Sequence, residues 1–219
     1  ARAFNGMLDR LEDSFNRLSQ FSADLAHELR TPVNNLRGEA EVALSRAREA
    51  NEYREVLASS LEEYDRLSRM IDSLLFLAKA DASQTTLAAS PIDAGMEIEK
   101  IIAFYEAMAA EQDVRVTCEG NAIINADPIL FRRVISNLLS NALHYTSPGG
   151  KVSFSIRSVE GGTDVTCCDS GAGNAKEDLP KGFDPFFRVS PSRRTKSEGA
   201  GVGLAIDKSI VDLHDVAVT

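Results

Sequence analysis

Long apolar runs are missing from this chain. No stretch of about eighteen apolar residues occurs, so nothing in it reads as a membrane span. No basic leader followed by a short apolar stretch opens it, so no secretory signal is visible. The first residue is Ala1 rather than Met, which reads as an excised fragment. Basic residues are outnumbered: 24 Lys and Arg stand against 33 Asp and Glu, a net charge of −9. Such a surface repels nucleic acid. The one dense basic cluster, Arg193-Arg194-Thr195-Lys196, is too short to reverse that, so no nucleic-acid partner is expected. Three cysteines (Cys118, Cys167 and Cys168) are an odd count without metal-ligand spacing. They read as reduced structural thiols in a cytosolic setting.

Glycine is scarce in the first part. Of 14 glycines, only Gly6 and Gly38 precede residue 90, and Pro32 is the sole proline there. The first part therefore reads as long helices and the second as a mixed, turn-rich domain. With 43% hydrophobic residues the chain can fill cores in both. Leu18, Phe21, Leu25, Leu29, Val33 (or Pro32), Leu36 and Ala40 recur at three- and four-residue steps, one apolar stripe on a helix. A second stripe runs through Tyr53, Val56, Leu61, Tyr64, Leu67, Ile71, Leu74 and Leu77. The polar connector at 47–51 makes the two helices an antiparallel hairpin. A lone hairpin cannot cover both stripes, so a homodimer with a four-helix bundle is the economical solution.

Residues 82–90 read as a linker. Beyond it the pattern predicts a helix over 93–111 and a strand over 114–118. A second helix over 127–145 is capped by Asp127 and begins with Pro128. A hairpin of strands at 151–159 and 163–168, a last helix over 203–213 and a short strand at 216–218 follow. The expectation is a mostly antiparallel sheet with helices on one face.

Four constellations carry chemistry. His27, followed by Glu28, lies roughly 200° around the helix from Leu25 and Leu29, and so faces solvent. Glu28 can orient one ring nitrogen or take its proton, making the other nucleophilic. Pro32 should bend the helix just beyond. Asn137 and Asn141 share a helix face at i, i+4; amides suit Mg²⁺ shared with phosphate and water. Asp169 with Gly171 and Gly173 follows a strand, so its carboxylate can accept from an exocyclic amine while backbone approaches a flat ring. Gly199, Gly201, Gly203 and Leu204 open the last helix, whose N-terminal N–H groups suit phosphate. This is neither a Rossmann fingerprint nor a Walker A loop, since 190–197 is polar and no Gly-Lys-Ser/Thr follows.

In this order the motifs resemble the sensor histidine kinases of two-component systems. Phe183-Asp-Pro-Phe186-Phe187-Arg188 is similar to that family's F box. The segments 21–32, 35–44 and 67–77 are especially close to the heavy-metal (copper/silver-type) sensor kinase subfamily. The resemblance implies an α + α/β chain. Its parts would be the end of a HAMP relay over 1–13 and a dimerisation and histidine phosphotransfer hairpin over 14–82. A Bergerat-type α/β sandwich ATP-binding domain would occupy 83–219. It further implies a protein-histidine kinase that uses ATP and Mg²⁺, autophosphorylates His27 on Nε2, passes the phosphoryl group to a response-regulator aspartate, and has phosphatase capacity. Glu28 would be the general base and Thr31 would position a hydrolytic water. Asn141 would hold Mg²⁺ with Asn137 beside it. Asp169 would read the adenine amine, Tyr145 would pack near the nucleotide, and Arg188 and the lid glycines would meet the phosphates. The fragment would be the cytoplasmic portion of an inner-membrane-anchored bacterial protein, touching the membrane only through absent N-terminal segments.

Several positions depart from the family pattern. His144 replaces a basic residue, which would make a phosphate contact pH-dependent. Asn174 and Gly182 replace aliphatic residues, and Asp207 sits where an apolar helix residue is common. Asp215 follows His214 where the family has two glycines and two further strands. These departures leave a catalytically degenerate dimeric signalling module as the alternative reading.

Overall fold

The computed structural model describes residues 2–81, 87–187 and 201–218. Helix α1 (Arg2–Leu44) runs through Pro32 without a break and continues unbroken across the expected relay segment. Of the two candidates for its apolar stripe, the Pro32 ring is buried, while Val33 is 52% exposed. After a five-residue loop, α2 (Ala50–Asp81) returns alongside. Two side chains secure the turn. Arg48 donates to the Val42 carbonyl at the end of α1, and Glu52 accepts from the Glu49 N–H at the start of α2. Ser59 donates to Glu39 across the hairpin at 3.3 Å.

The second part is built from β1 (Ser90–Asp93), α3 (Ala94–Glu111), β2 (Arg115–Glu119), β3 (Ile123–Ala126), α4 (Pro128–Tyr145), β4 (Lys151–Val159), β5 (Gly162–Asp169) and α5 (Gly203–Leu213). A 3-10 turn, Leu179–Lys181, precedes the F-box segment. Among the described residues the expected single sheet is two sheets. β1 pairs antiparallel with β3, while β2, β4 and β5 form a mixed sheet in which β2 lies parallel to β4. β1 and β3 were not foreseen: each has four residues, and each carries a poor strand former, Pro91 or Asn125. The expected strand at 216–218 is absent. Asp215 adopts φ 55°, the Val216 N–H turns back to the Val211 carbonyl, and Val216 is exposed, so no extended segment reaches a sheet.

The main core is fully closed. Val152, Phe154 and Ile156 point inward from alternate positions of β4 against Ile98 of α3 and Ile135, Leu139 and Leu143 of α4. Helix starts follow their caps: Asp93 accepts from Met96, and Asp127 accepts from Ile129 and Leu130. Asn121 accepts from the Gly95 N–H and donates to Asp93, pinning α3 to the β2–β3 turn. A Cβ at Gly95 would stand 2.8 Å from the Asn121 side-chain oxygen, which is why glycine occupies that place. A second apolar core joins the hairpin to this domain. It contains Leu77 of α2, Val202, and Ala205, Ile206 and Ile210 of α5, with Leu130 and Val134 of α4 packed on it.

Candidate active site

His27 is exposed on α1, and Glu28 beside it is half-buried. Because Pro32 has no N–H, the Glu28 carbonyl lacks its helical donor. One residue earlier the Thr31 hydroxyl donates back to the His27 carbonyl at 3.4 Å. The hydroxyl oxygen keeps its acceptor capacity. Six residues before His27, about 9 Å along the helix axis, the Phe21 ring meets Phe186 with centroids 5.4 Å apart. Phe186 belongs to the F-box segment, has φ 65°, and donates its N–H to the Gly201 carbonyl at 2.8 Å. Gly201, two residues before α5, is thus fastened to a residue that touches the histidine's own helix.

α4 and α5 lie antiparallel and meet at three polar points. At one end Asn141 faces Gly203: a Cβ there would stand 3.7 Å from the amide nitrogen. Between them Asn137 donates to Asp207 at 2.9 Å. At the other end the Asp127 N–H donates to His214 Nε2 at 3.0 Å, while His214 Nδ1 lies 2.7 Å from the Ile210 carbonyl. That pair of contacts defines a neutral ring with its proton on Nδ1. At the Asn141 end, α5 begins at Val202 with no side-chain cap. Its first N–H groups are left for an anion.

Asp169 ends β5, and its Oδ1 accepts from the Gly171 N–H at 2.8 Å, which leaves Oδ2 directed elsewhere. Gly171 is pressed against the end of α4: a Cβ would lie 2.6 Å from the Tyr145 carbonyl. Gly173 and Gly201 adopt φ 67° and 68°, which glycine alone adopts freely. Tyr145 is 58% exposed. His144 is half-buried with its ring edge-on to Tyr145 at 4.9 Å, and its Nε2 is enclosed without a partner, so that nitrogen faces no open site. Leu204 is half-buried. Arg188 and Gly199 lie outside the described residues.

The structure therefore brings Asn141 to the Gly203–Leu204 start of α5 with Asn137 one turn further along the seam, and gathers Asp169, Gly171 and Tyr145 at the C-terminus of α4. Sequence reasoning gave no role to Asp207, Arg133 or His214. Asp207 did carry a signal: an acid in the apolar register of Ile206 and Ile210. Burial pushes its carboxyl up to about 7, against the Asn137 hydrogen bond and the Arg133 charge. Burial also lowers Arg133, with Asp207 and Asp72 opposing. At Asp127, burial is outweighed by hydrogen bonds from the Ala88, Leu130 and Ile129 N–H groups, so its carboxyl is held low.

No group of three or more His, Cys, Asp or Glu among the described residues could cage a metal. The donor set fits Mg²⁺ only as an ion shared with phosphates: one amide, Asn141, faces an uncapped helix start. No helix among the described residues is long and apolar enough to cross a membrane.

Comparison with known proteins finds two family models in this chain. The His Kinase A (phospho-acceptor) domain matches residues 17–83. The histidine kinase-, DNA gyrase B-, and HSP90-like ATPase matches residues 126–219. Sensor protein IrlS of Burkholderia pseudomallei (strain K96243) is 45% identical over 212 residues, 97% of this chain and 46% of that protein. Sensor histidine kinase CusS of Escherichia coli O157:H7 is 44% identical over 220 residues, 99% of this chain and 46% of that one. The structure of full-length ShkA in complex with AMPPNP superposes with a TM-score of 0.63 at 25% identity, covering 87% of this chain and 40% of that one. The chain spans about half the length of the curated relatives it matches. Two domains in this order, and relatives that run through both, mean that the chain belongs to the sensor histidine kinases.

Proposed function

We propose that this chain is the catalytic half of a two-component sensor that phosphorylates His27 from ATP and passes the phosphoryl group to a response-regulator aspartate. The carrying observation is the Phe21–Phe186 contact, which sets the ATPase-type domain against the helix of an exposed histidine. Nε2 of His27 would form the new N–P bond as the bond between the γ-phosphorus and the bridging oxygen breaks, releasing ADP. Glu28 would accept the Nδ1 hydrogen bond and take that proton as the ring becomes cationic. Thr31 would hold the water that hydrolyses the phosphorylated regulator.

In the ATP site, Asp169 would accept from the adenine amine with Gly171 and Gly173 beneath the ring, and Tyr145 would lie near the nucleotide. Gly201, Gly203 and Leu204, together with Gly199 and Arg188, would meet the phosphates. Mg²⁺ held by Asn141 would neutralise phosphate charge. An amide at position 137 cannot accept a proton from water, which suits a kinase that must retain its ATP. The AMPPNP bound in ShkA supports a nucleotide at this fold's site. Residues 14–82 would form the phosphotransfer hairpin and 83–219 the ATP-binding domain. Leu57, Leu61, Tyr64, Ile71 and Leu75 of α2 are all exposed, at the four- and three-residue spacing of a helix-packing seam, which supports a homodimer. The whole sensor would be membrane-anchored with this half in the cytoplasm.

The test is to incubate the chain with labelled ATP and Mg²⁺. Acid-labile label is expected in the unaltered chain and none in His27→Ala, with ATP affinity retained. Label that persists in His27→Ala, or none in either chain, refutes the assignment. The second result would leave the dimeric signalling module.

A further inference from the structure

One contact of the α4–α5 pair is unused by the proposed chemistry. Asp207 lies one turn into α5 and is 2% exposed. Its Oδ1 accepts from Asn137, and its Oδ2 is buried without a hydrogen-bond partner among the described residues. Around it on α5, Ala205, Ile206 and Ile210 are buried in the second apolar core. An acid enclosed in this way destabilises the fold relative to an apolar residue of similar size. Cohesion therefore does not account for it.

Its place does. Asn137 stands one turn before Asn141 on α4, and Asp207 one turn after Gly203 on α5. The apolar contacts that pack α5 on α4 near this point (Val134 and Ile206 among them) are non-directional. The Asp207–Asn137 bond is directional. Such a bond can set how far the uncapped start of α5 projects past Asn141. Arg133, one turn before Asn137, interacts with Asp207 and with Asp72 of α2. Its guanidinium lies 4.6 Å from the centroid of the Phe76 ring and donates to Ser73 at 3.4 Å, which extends the seam to the hairpin.

We propose that Asp207 is a positioning residue of the nucleotide site: through Asn137 it sets the register of α5 on α4 and so places the N–H groups of Gly203 and Leu204 relative to Asn141. This rests on the reading that the chain binds ATP. Binding is measured by calorimetry on the full chain with ATP–Mg²⁺ and, separately, with AMP. Asp207→Ala should weaken ATP about tenfold, the scale of one hydrogen bond. AMP, held at the Asp169 end, should bind as before. Asp207→Asn keeps an oxygen facing Asn137 and should restore ATP affinity to within about twofold. Adding Asn137→Ala to Asp207→Ala should weaken ATP no further than Asn137→Ala alone. In the autokinase assay the loss should fall on KM rather than kcat. Unchanged ATP affinity in Asp207→Ala, equal loss in Asp207→Asn, or parallel loss of AMP would overturn the proposal. An unaltered chain that binds no ATP overturns the reading above and this inference with it.

Discussion

Asp207→Asn should alter how stability depends on pH. The substitution keeps side-chain size and the acceptor for Asn137 but removes the titrating group. Burial raises the folded-state pKa of Asp207 to about 7 from an ordinary value of 3.8. For an acid whose folded pKa is raised, the folded chain retains a proton that the unfolded chain has released. Stability is therefore lost as pH rises between the two values, and the loss levels off above the folded pKa. Three units correspond to about 4 kcal/mol in total, of which about 2–3 kcal/mol falls between pH 5 and pH 8. Asp127 and Asp93, whose carboxyls are held low, act in the opposite direction at lower pH. They do so equally in both chains, so the difference between the chains isolates Asp207. Urea unfolding at pH 5 and pH 8 is the assay. The variant's advantage should grow by about 2–3 kcal/mol from the lower pH to the higher, or roughly 5–10 °C in melting temperature. Parallel stability curves would show that Asp207 is ionised at both pH values, and would refute the burial argument.

Thr31→Ala should slow loss of label from a phosphorylated regulator and largely spare autokinase activity, whereas Glu28→Ala should lower autokinase by about 10²–10⁴-fold. If both substitutions depress both activities alike, damage near Pro32 is the simpler cause. Leu61→Glu with Leu75→Glu should convert a dimer to a monomer in sedimentation, since each buried leucine contributes about 1.5–3 kcal/mol; an unchanged sedimentation coefficient rules out the α2 seam. Asp127→Ala should cost about 1–2 kcal/mol in chemical unfolding, because it uncaps α4 and frees the Ala88 N–H at once. A change under about 0.3 kcal/mol would show that water replaces the carboxylate.

What the sequence determined by itself was local. The cap and proline at 127–128 placed the start of α4, and the apolar spacing with its opening glycine placed α5 at 203–213. The i, i+4 spacing put Asn137 and Asn141 on one face, and the stripe left His27 in solvent. Each of these depends on neighbours within a turn or two, where periodicity and capping act. Tertiary structure decided whatever needed a distant partner. β1 and β3, of four residues each, are too short to be set by local pattern and exist because they pair with each other. Pro32 rather than Val33 is buried because the helix path selects one of two adjacent residues. Residues 216–218 stay out of a sheet because the chain turns at Asp215. Asp207 meets Asn137 across 70 positions, and His214 meets Asp127 across 87. No local pattern encodes either pair: a hydrogen bond at that separation exists only once the two apolar cores have set α5 against α4.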